Sequence, residues 1–248
     1  MILAIIQARS KNKRLPGKVL MKLGDKTVLQ HCYERVKKAM FVNNVVIAIP
    51  FNDDRLKKHC ILTGMEYYEG SETDLLNRYL YGARLFNASH IVRITSDCPC
   101  IEPILIDLVI KRHLGNNNDI TTNALTDTFP DGLDVAIMSR GALERAHREA
   151  FKKSDREHVV TYLYNNDSLF QIEEVKSMGY HKDIRLTIDY KKDYNFLKKL
   201  FNGLYKEKQD FDITDIYRYL EKNPKLLKIN NCYKRNEGYQ KSLEEDNV

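Results

Sequence analysis

ILAIIQARSKNKRLPGK (residues 2–18) joins a run that is apolar at five consecutive positions to a loop carrying Arg9, Lys11, Lys13, Arg14 and Lys18. A run without period-two alternation predicts a strand buried on both faces, as in a parallel sheet. Open parallel sheets bind ligands beyond the carboxyl ends of their strands, so the basic loop lies where a ligand would sit. It reads either as a solvated basic loop or as a cradle for a polyanion such as a triphosphate. The loop lacks the spaced glycines and Gly-Lys-Ser/Thr ending of a Walker loop, and it is not G-x-G-x-x-G, which disfavours dinucleotide binding of the Rossmann type. With so little glycine, phosphates would be held by side chains: Arg9 and Arg14 as forks, Lys18 as a point charge.

Beyond residue 18 the apolar period alternates. Val28, Leu29, Cys32, Tyr33, Val36 and Met40 share one helical face over 26–40. A strand is expected at 44–49, a helix at 53–63 with Asn52 or Asp53 as N-cap, a strand at 66–68 and a helix at 72–86. A strand at 90–95 and a helix at 103–114, started by Pro103, follow. Four alternations predict an α/β fold with a doubly wound, mostly parallel sheet. After Gly115 the rhythm breaks. Strands are expected at 119–123, 133–138, 169–175 and 184–188, and helices at 141–150, 157–164, 194–201 and 213–220. Residues 121–179 are expected to form an inserted arm serving the acceptor or a subunit contact. Residues 226–248 are expected to be a polar C-terminal tail, loosely ordered at its end, after a main domain of 1–225.

The chain has 248 residues, 43% hydrophobic and 30% charged, which suits one soluble globular domain. Its net charge of +6 is spread among mixed signs, unlike a nucleic-acid binder with cations gathered on one element; no nucleic-acid partner is expected. No apolar run is long enough to span a bilayer, and the start lacks the basic region of a signal peptide, so the expectation is a cytoplasmic protein without membrane contact. Five unpatterned cysteines point to reduced thiols. Cys98 and Cys100 lack a second pair or a nearby His, which favours buried structural thiols over zinc.

Two acids follow predicted strands: Asp97 in "SDCP" after "HIVRIT", and Asp189 in "IRLTID". Asp97 reads either as an Asx-turn or as a metal ligand. Facing a cationic loop, it suits a magnesium-bound polyphosphate, since Mg²⁺ takes one or two protein carboxylates and completes its shell with water and phosphate oxygens. Asp189 could converge on the same ion. Asp131–Gly132 is a turn signal, and His158, Arg93 and Arg185 each read as ordinary core or surface groups by themselves.

Six segments taken together carry a resemblance: "IIQARSKNKRLPGKVL" (5–20), "GSETDLLNRY" (70–79), "VRITSDCPCIEPILID" (92–107), "FPDGLDVAI" (129–137), "REHV" (156–159) and "IRLTIDYKKDY" (184–194). In this order they resemble the SpsF-like cytidylyltransferase family of spore-coat polysaccharide type, related to the enzymes that activate Kdo and acylneuraminate sugars as CMP conjugates. The resemblance implies a Rossmann-like nucleotidyltransferase fold, CTP as donor and Mg²⁺ as cofactor. It implies that Arg9, Arg14 and Lys18 hold the triphosphate, with Asn12, where the family usually has Ser, in the same loop. Gln7, Ala8 and Ile49 would read the base, and Asp97 and Asp189 would hold metal. Arg78 would serve the nucleotide and border the acceptor, which Arg93, Asn123, Asp131, Asp134, His158 and Arg185 would line. The expected catalytic set is Lys18, Arg9, Arg14 and Asp97. The expected reaction is CMP transfer to a small anionic sugar-type acceptor with release of pyrophosphate, by a homodimer, for surface-glycan precursors. A glycosyltransferase and a catalytically silent nucleotide binder are the alternatives.

Overall fold

The computed structural model describes residues 1–179 and 181–246. The opening apolar run is strand β1 (Ile2–Gln7), and it lies at the middle of the main sheet. β1 pairs in parallel with β4 (Asn44–Pro50) on one side and β6 (His90–Thr95) on the other, so Ala4 faces both Val45 and Val92. A small hairpin, β2 (Lys22–Leu23) and β3 (Lys26–Thr27), stands apart. Among the described residues the main sheet runs β5-β4-β1-β6-β8-β7-β9, with β5 (Tyr67–Gly70), β7 (Ile120–Thr122), β8 (Ala136–Ser139) and β9 (Ile172–Glu174). β8 is antiparallel to both its neighbours; the other pairings are parallel.

Helices cover both faces. α1 (Val28–Val36), α2 (Asp54–Thr63), α4 (Pro103–Asn116), α8 (Lys191–Glu207) and α9 (Ile213–Lys222) enclose one core with Ile6, Ile47, Val92 and Ile94. α3 (Leu75–Leu85), α5 (Arg140–Glu149), α6 (Lys153–His158) and α7 (Thr161–Asn165) enclose the other with Leu3, Ile5, Val46 and Ile91. Each such fully buried side chain stabilises the fold by roughly 1.5–3 kcal/mol relative to exposure. This explains why the central strands alternate between two cores rather than between core and water. The starts follow local chemistry: Thr27 and Gln30 form a capping box for α1, Asp53 caps α2, and Pro103 begins α4.

The structure departs from expectation after residue 115. Residues 121–179 do not form a separate arm: they supply three strands to the main sheet and helices to its second face. The helix expected over 157–164 breaks at Val159, which takes φ +65° and splits it into α6 and α7. Residues 184–188 are not a strand. They cross the rim, bonded to other loops, with a single bridge between Asp131 and Arg185. The polar segment from 226 is ordered too, as a 3₁₀ turn (Pro224–Ile229) and helix α10 (Glu237–Glu245). Its side chains find charged partners on the rim, as composition alone does not foretell. Asn247 and Val248 of that tail lie outside the described residues.

Candidate active site

The basic loop has a definite shape. Ala8 N–H donates to Ala48 O at 3.0 Å, Ser10 N–H to Asp53 Oδ2 at 2.8 Å, and Gly17 N–H back to Ser10 O at 2.9 Å. Asn12 Oδ1 accepts from the Arg14 and Leu15 amides, an Asx-turn that binds one end of its side chain to the loop. Gly17 at φ +71° turns the chain into a 3₁₀ turn (Lys18–Leu20), a conformation that suits glycine. The turn drives Lys18 inward, to 4% exposure. Arg9 and Arg14 remain toward solvent.

Asp97 and Asp189 converge. The Ile188 amide donates to Asp97 O at 3.0 Å, which lays the 184–190 segment across the end of β6. Lys18 Nζ then lies 2.6 Å from Asp97 Oδ2 and 2.8 Å from Asp189 Oδ1. Arg14 reaches the same Asp189 oxygen at 2.8 Å and stands over the Tyr190 ring. Burial pushes the Asp97 carboxyl up, but Lys18 outweighs it and the net shift is down. Burial likewise lowers Lys18, and Asp97 with Asp189 reverse this and raise it. Both sides are therefore ionised at neutral pH.

Arg185 is a second hub. It contacts Asp131, donates to Asp189 Oδ2 at 3.0 Å and to Asp193 Oδ1 at 3.0 Å. Burial pushes Asp131 up to about 7 against the pull of Arg185, as expected where one guanidinium serves several carboxylates. Asp193, fully buried, also accepts from the Asp189 and Tyr190 amides and so starts α8 while fixing the Asp189 backbone. Asp134 is paired with Arg235. His158 Nε2 lies 3.0 Å from Ser242 Oγ, and burial lowers its pKa. Gln7 Oε1 accepts from Tyr79 OH at 3.1 Å.

Three expected contacts are placed otherwise. Arg78 is buried and donates to the carbonyls of Ser71, Glu72 and Ala48, so it builds the loop after β5. Asn123 is fully buried, donating to Leu133 O and accepting from Val135 N–H, which knits the 123–135 turn. Arg78 spends three of its five N–H donors on these carbonyls, and Asn123 one of its two side-chain amide hydrogens. Ile49 is wholly inside the core, so only its main chain borders the rim. Cys98 and Cys100 are buried thiols pushed up by burial.

Sequence reasoning missed Asp193, Asn230, Arg235 and Glu237. Asp193 had a signal: an acid at the third position of a helix marks a capping box. The other three lie in a polar stretch whose partners are remote in sequence.

The donor chemistry of the Asp97–Asp189 pair fits a hard divalent cation. Two carboxylates sharing one ammonium nitrogen offer oxygen ligands with the remaining positions open to water and phosphate. Among the described residues no cluster of three or more His, Cys, Asp or Glu would hold a metal alone. No helix among them is long and apolar enough to cross a membrane.

A family model described as cytidylyltransferase matches residues 3–225. The spore coat polysaccharide biosynthesis protein SpsF of Bacillus subtilis is 33% identical, covering 90% of this chain and 95% of its own. A cytidylyltransferase structure from Leptospira borgpetersenii superimposes with TM-score 0.86 at 33% identity, covering 91% of this chain and 96% of that one. A CMP-2-keto-3-deoxy-manno-octonic acid synthetase complexed with CTP superimposes with TM-score 0.63 at 16% identity, a likeness of fold, over 84% of this chain and 99% of that one.

Proposed function

The chain belongs to the cytidylyltransferase family, and from that premise we propose that it transfers CMP from CTP to a small anionic sugar-type acceptor, releasing pyrophosphate, in the making of surface-glycan precursors. The observation that carries this reading is Lys18 Nζ held between Asp97 and Asp189 at the rim of a parallel sheet, with Arg14 on the same carboxylate. Cations and carboxylates that neutralise one another can exchange partners: phosphates for the carboxylates, a divalent cation for the ammonium.

An acceptor oxygen attacks the α-phosphorus of CTP in line with the bond to the β-phosphate. That P–O bond breaks, pyrophosphate leaves, and the acceptor's proton passes to solvent. Lys18 and Arg14, with Arg9, take the charge of the β- and γ-phosphates, acting through position and electrostatics rather than a covalent intermediate. Arg185 and Asp193 hold Asp189 in place. Mg²⁺ held by Asp97 and Asp189 would neutralise phosphate charge and lower the pKa of a bound oxygen. The reading includes a cytoplasmic homodimer, for which light scattering is the measurement. The B. subtilis relative's name supports the pathway, and the CTP-bound fold relative supports the donor.

The test is pyrophosphate release with Mg²⁺, offering CTP, UTP, GTP or ATP against a pool of phosphorylated sugars and sugar acids. Release with CTP and one member of the pool is expected. Release with another nucleotide in preference to CTP overturns the donor, and absence of both release and CTP binding by calorimetry overturns the reading.

A further inference from the structure

Asp189 holds three cations at once. Its Oδ1 accepts from Lys18 and from Arg14, each at 2.8 Å, and its Oδ2 from Arg185 at 3.0 Å. The three would fare differently if this carboxylate turned to another partner. Arg185 keeps Asp131 and Asp193. Lys18 is fixed by its buried stem and by Asp97. Arg14 is partly exposed, and its other acidic neighbour, Glu237, lies 4.0 Å away, too far for a hydrogen bond.

Arg14 also has the Tyr190 ring, whose centroid is 5.2 Å from the guanidinium carbon, within the range at which a ring face attracts a cation. The ring is itself held at three places. Tyr190 is the N-cap of α8, and its amide donates to Asp193 at 2.9 Å. Its hydroxyl donates to Glu237 at 2.5 Å. Its face stacks with Tyr233, with centroids 4.1 Å apart and planes within 15°. Burial lowers the Arg14 pKa, and Asp189 with Tyr190 outweighs it, so the net shift is up. The two partners act on different parts of the guanidinium. A carboxylate takes the N–H edge, the same edge that a phosphate needs, whereas an aromatic face takes the flat side. An incoming phosphate therefore displaces Asp189 from Arg14 without displacing the ring.

We propose that Tyr190 is a positioning residue for the nucleotide side of the site: its ring keeps the Arg14 guanidinium at the rim once Asp189 no longer holds it. The inference rests on the cytidylyltransferase reading for what Arg14 then meets, the β- and γ-phosphates of CTP, and not for the hold on Arg14 itself.

The hold is read on the full chain without ligand, as the upfield ring-current displacement of the Arg14 Nε–H proton in NMR spectra assigned with Arg14→Gln. Asp189→Asn takes away the carboxylate charge, as the partner exchange would. The displacement should persist in Asp189→Asn, and also when Tyr190→Phe, which keeps the ring, is added to it. Adding Tyr190→Leu instead should abolish it, and Glu237→Gln should leave it in place. Its loss in Asp189→Asn alone, or in Glu237→Gln, overturns the proposal. Function is read separately, by calorimetry of CTP with Mg²⁺. Tyr190→Leu should weaken binding about fivefold, the scale of a half-exposed contact between a cation and a ring, and Tyr190→Phe by less than about twofold. On an Arg14→Gln chain Tyr190→Leu should add nothing, because the ring acts through Arg14. Undiminished affinity in Tyr190→Leu overturns the proposal. So does an equal loss with and without Arg14, which is what a merely structural role for the ring would give. A chain that shows the expected Arg14 displacements yet binds no CTP supports the hold and counts against the nucleotide reading alone.

Discussion

Lys18 is the residue on which the site turns, because its ammonium touches both the Asp97 and Asp189 carboxylates while its stem is buried. Asp97→Asn removes one charge from this trio and keeps the shape. Lys18 then still has Asp189 as partner, so the fold should stand, with a melting temperature within a few degrees of wild type. Turnover should fall by about 10² or more, the scale for removing one preorganised electrostatic group from an active site. Steady-state pyrophosphate release checks this, and near-normal kcat would remove Asp97 from the machinery. At this scale the sequence was legible for the acid just after β6, Asp97, and for the basic loop after β1 that delivers Lys18, whereas Asp189 arrives on a crossing segment and not on the strand expected there. It was not legible for Arg78 and Asn123. Their polar groups are taken up by backbone carbonyls and amides whose locations depend on how loops from other strands close.

Elements are joined by contacts that a single substitution can open. Gly132 at φ +102° passes so close to the 184–190 segment that an added Cβ would lie 2.7 Å from Leu186 C and Thr187 N. Backbone atoms cannot swing away as a side-chain tip can. Gly132→Ala should therefore destabilise by about 2–4 kcal/mol in urea unfolding, combining an unfavourable dihedral with displacement of the segment that carries Asp189. A second joint is the His90–His113 pair. Here β6 meets α4 with 3.1 Å between ring nitrogens, and His113 also bonds Thr121 of β7 at 3.2 Å. Burial, then His90, lowers His113 to about 4 from an ordinary 6.5, while Asp119 and Glu173 oppose this. The folded state holds His113 neutral while the unfolded chain binds a proton between those values. Its contribution is thus present above pH 6.5 and lost as pH falls toward 4. That loss should amount to about 3 kcal/mol, and it should be missing from the pH profile of His113→Gln measured by denaturant unfolding. A variant as acid-sensitive as wild type would show that His113 does not carry it. The four early strand–helix alternations were readable from periodicity. The break at Val159 was not, since a β-branched residue at positive φ has no sequence signal.

The whole molecule divides into a body held by two apolar cores and an outer segment held by charges. The body was foreseeable because continuous apolar strands can lie only between two helix layers. The outer segment read only as a polar tail because composition reports how much apolar surface a segment can bury, and not which ions it will meet. Among the described residues the fully buried apolar core ends at Leu220; Leu226, Leu227 and Ile229 pack at its edge, and beyond Asn230 the links are polar contacts and two ring pairs, Tyr233 on Tyr190 and Tyr239 against His158. Exposed or half-exposed ion pairs contribute about 0–1 kcal/mol each. A chain stopped after Asn231 keeps the 3₁₀ turn and Asn230 but loses Arg235, Glu237 and Ser242. It should unfold in urea at a midpoint close to wild type, with a loss of no more than about 2 kcal/mol. Its activity should drop much further, because Asp134, Arg14 and His158 each lose a partner at the mouth of the site. Large loss of stability together with activity would make the segment part of the body. Full activity with the segment gone would mean that chemistry on the rim needs only the region that the family shares.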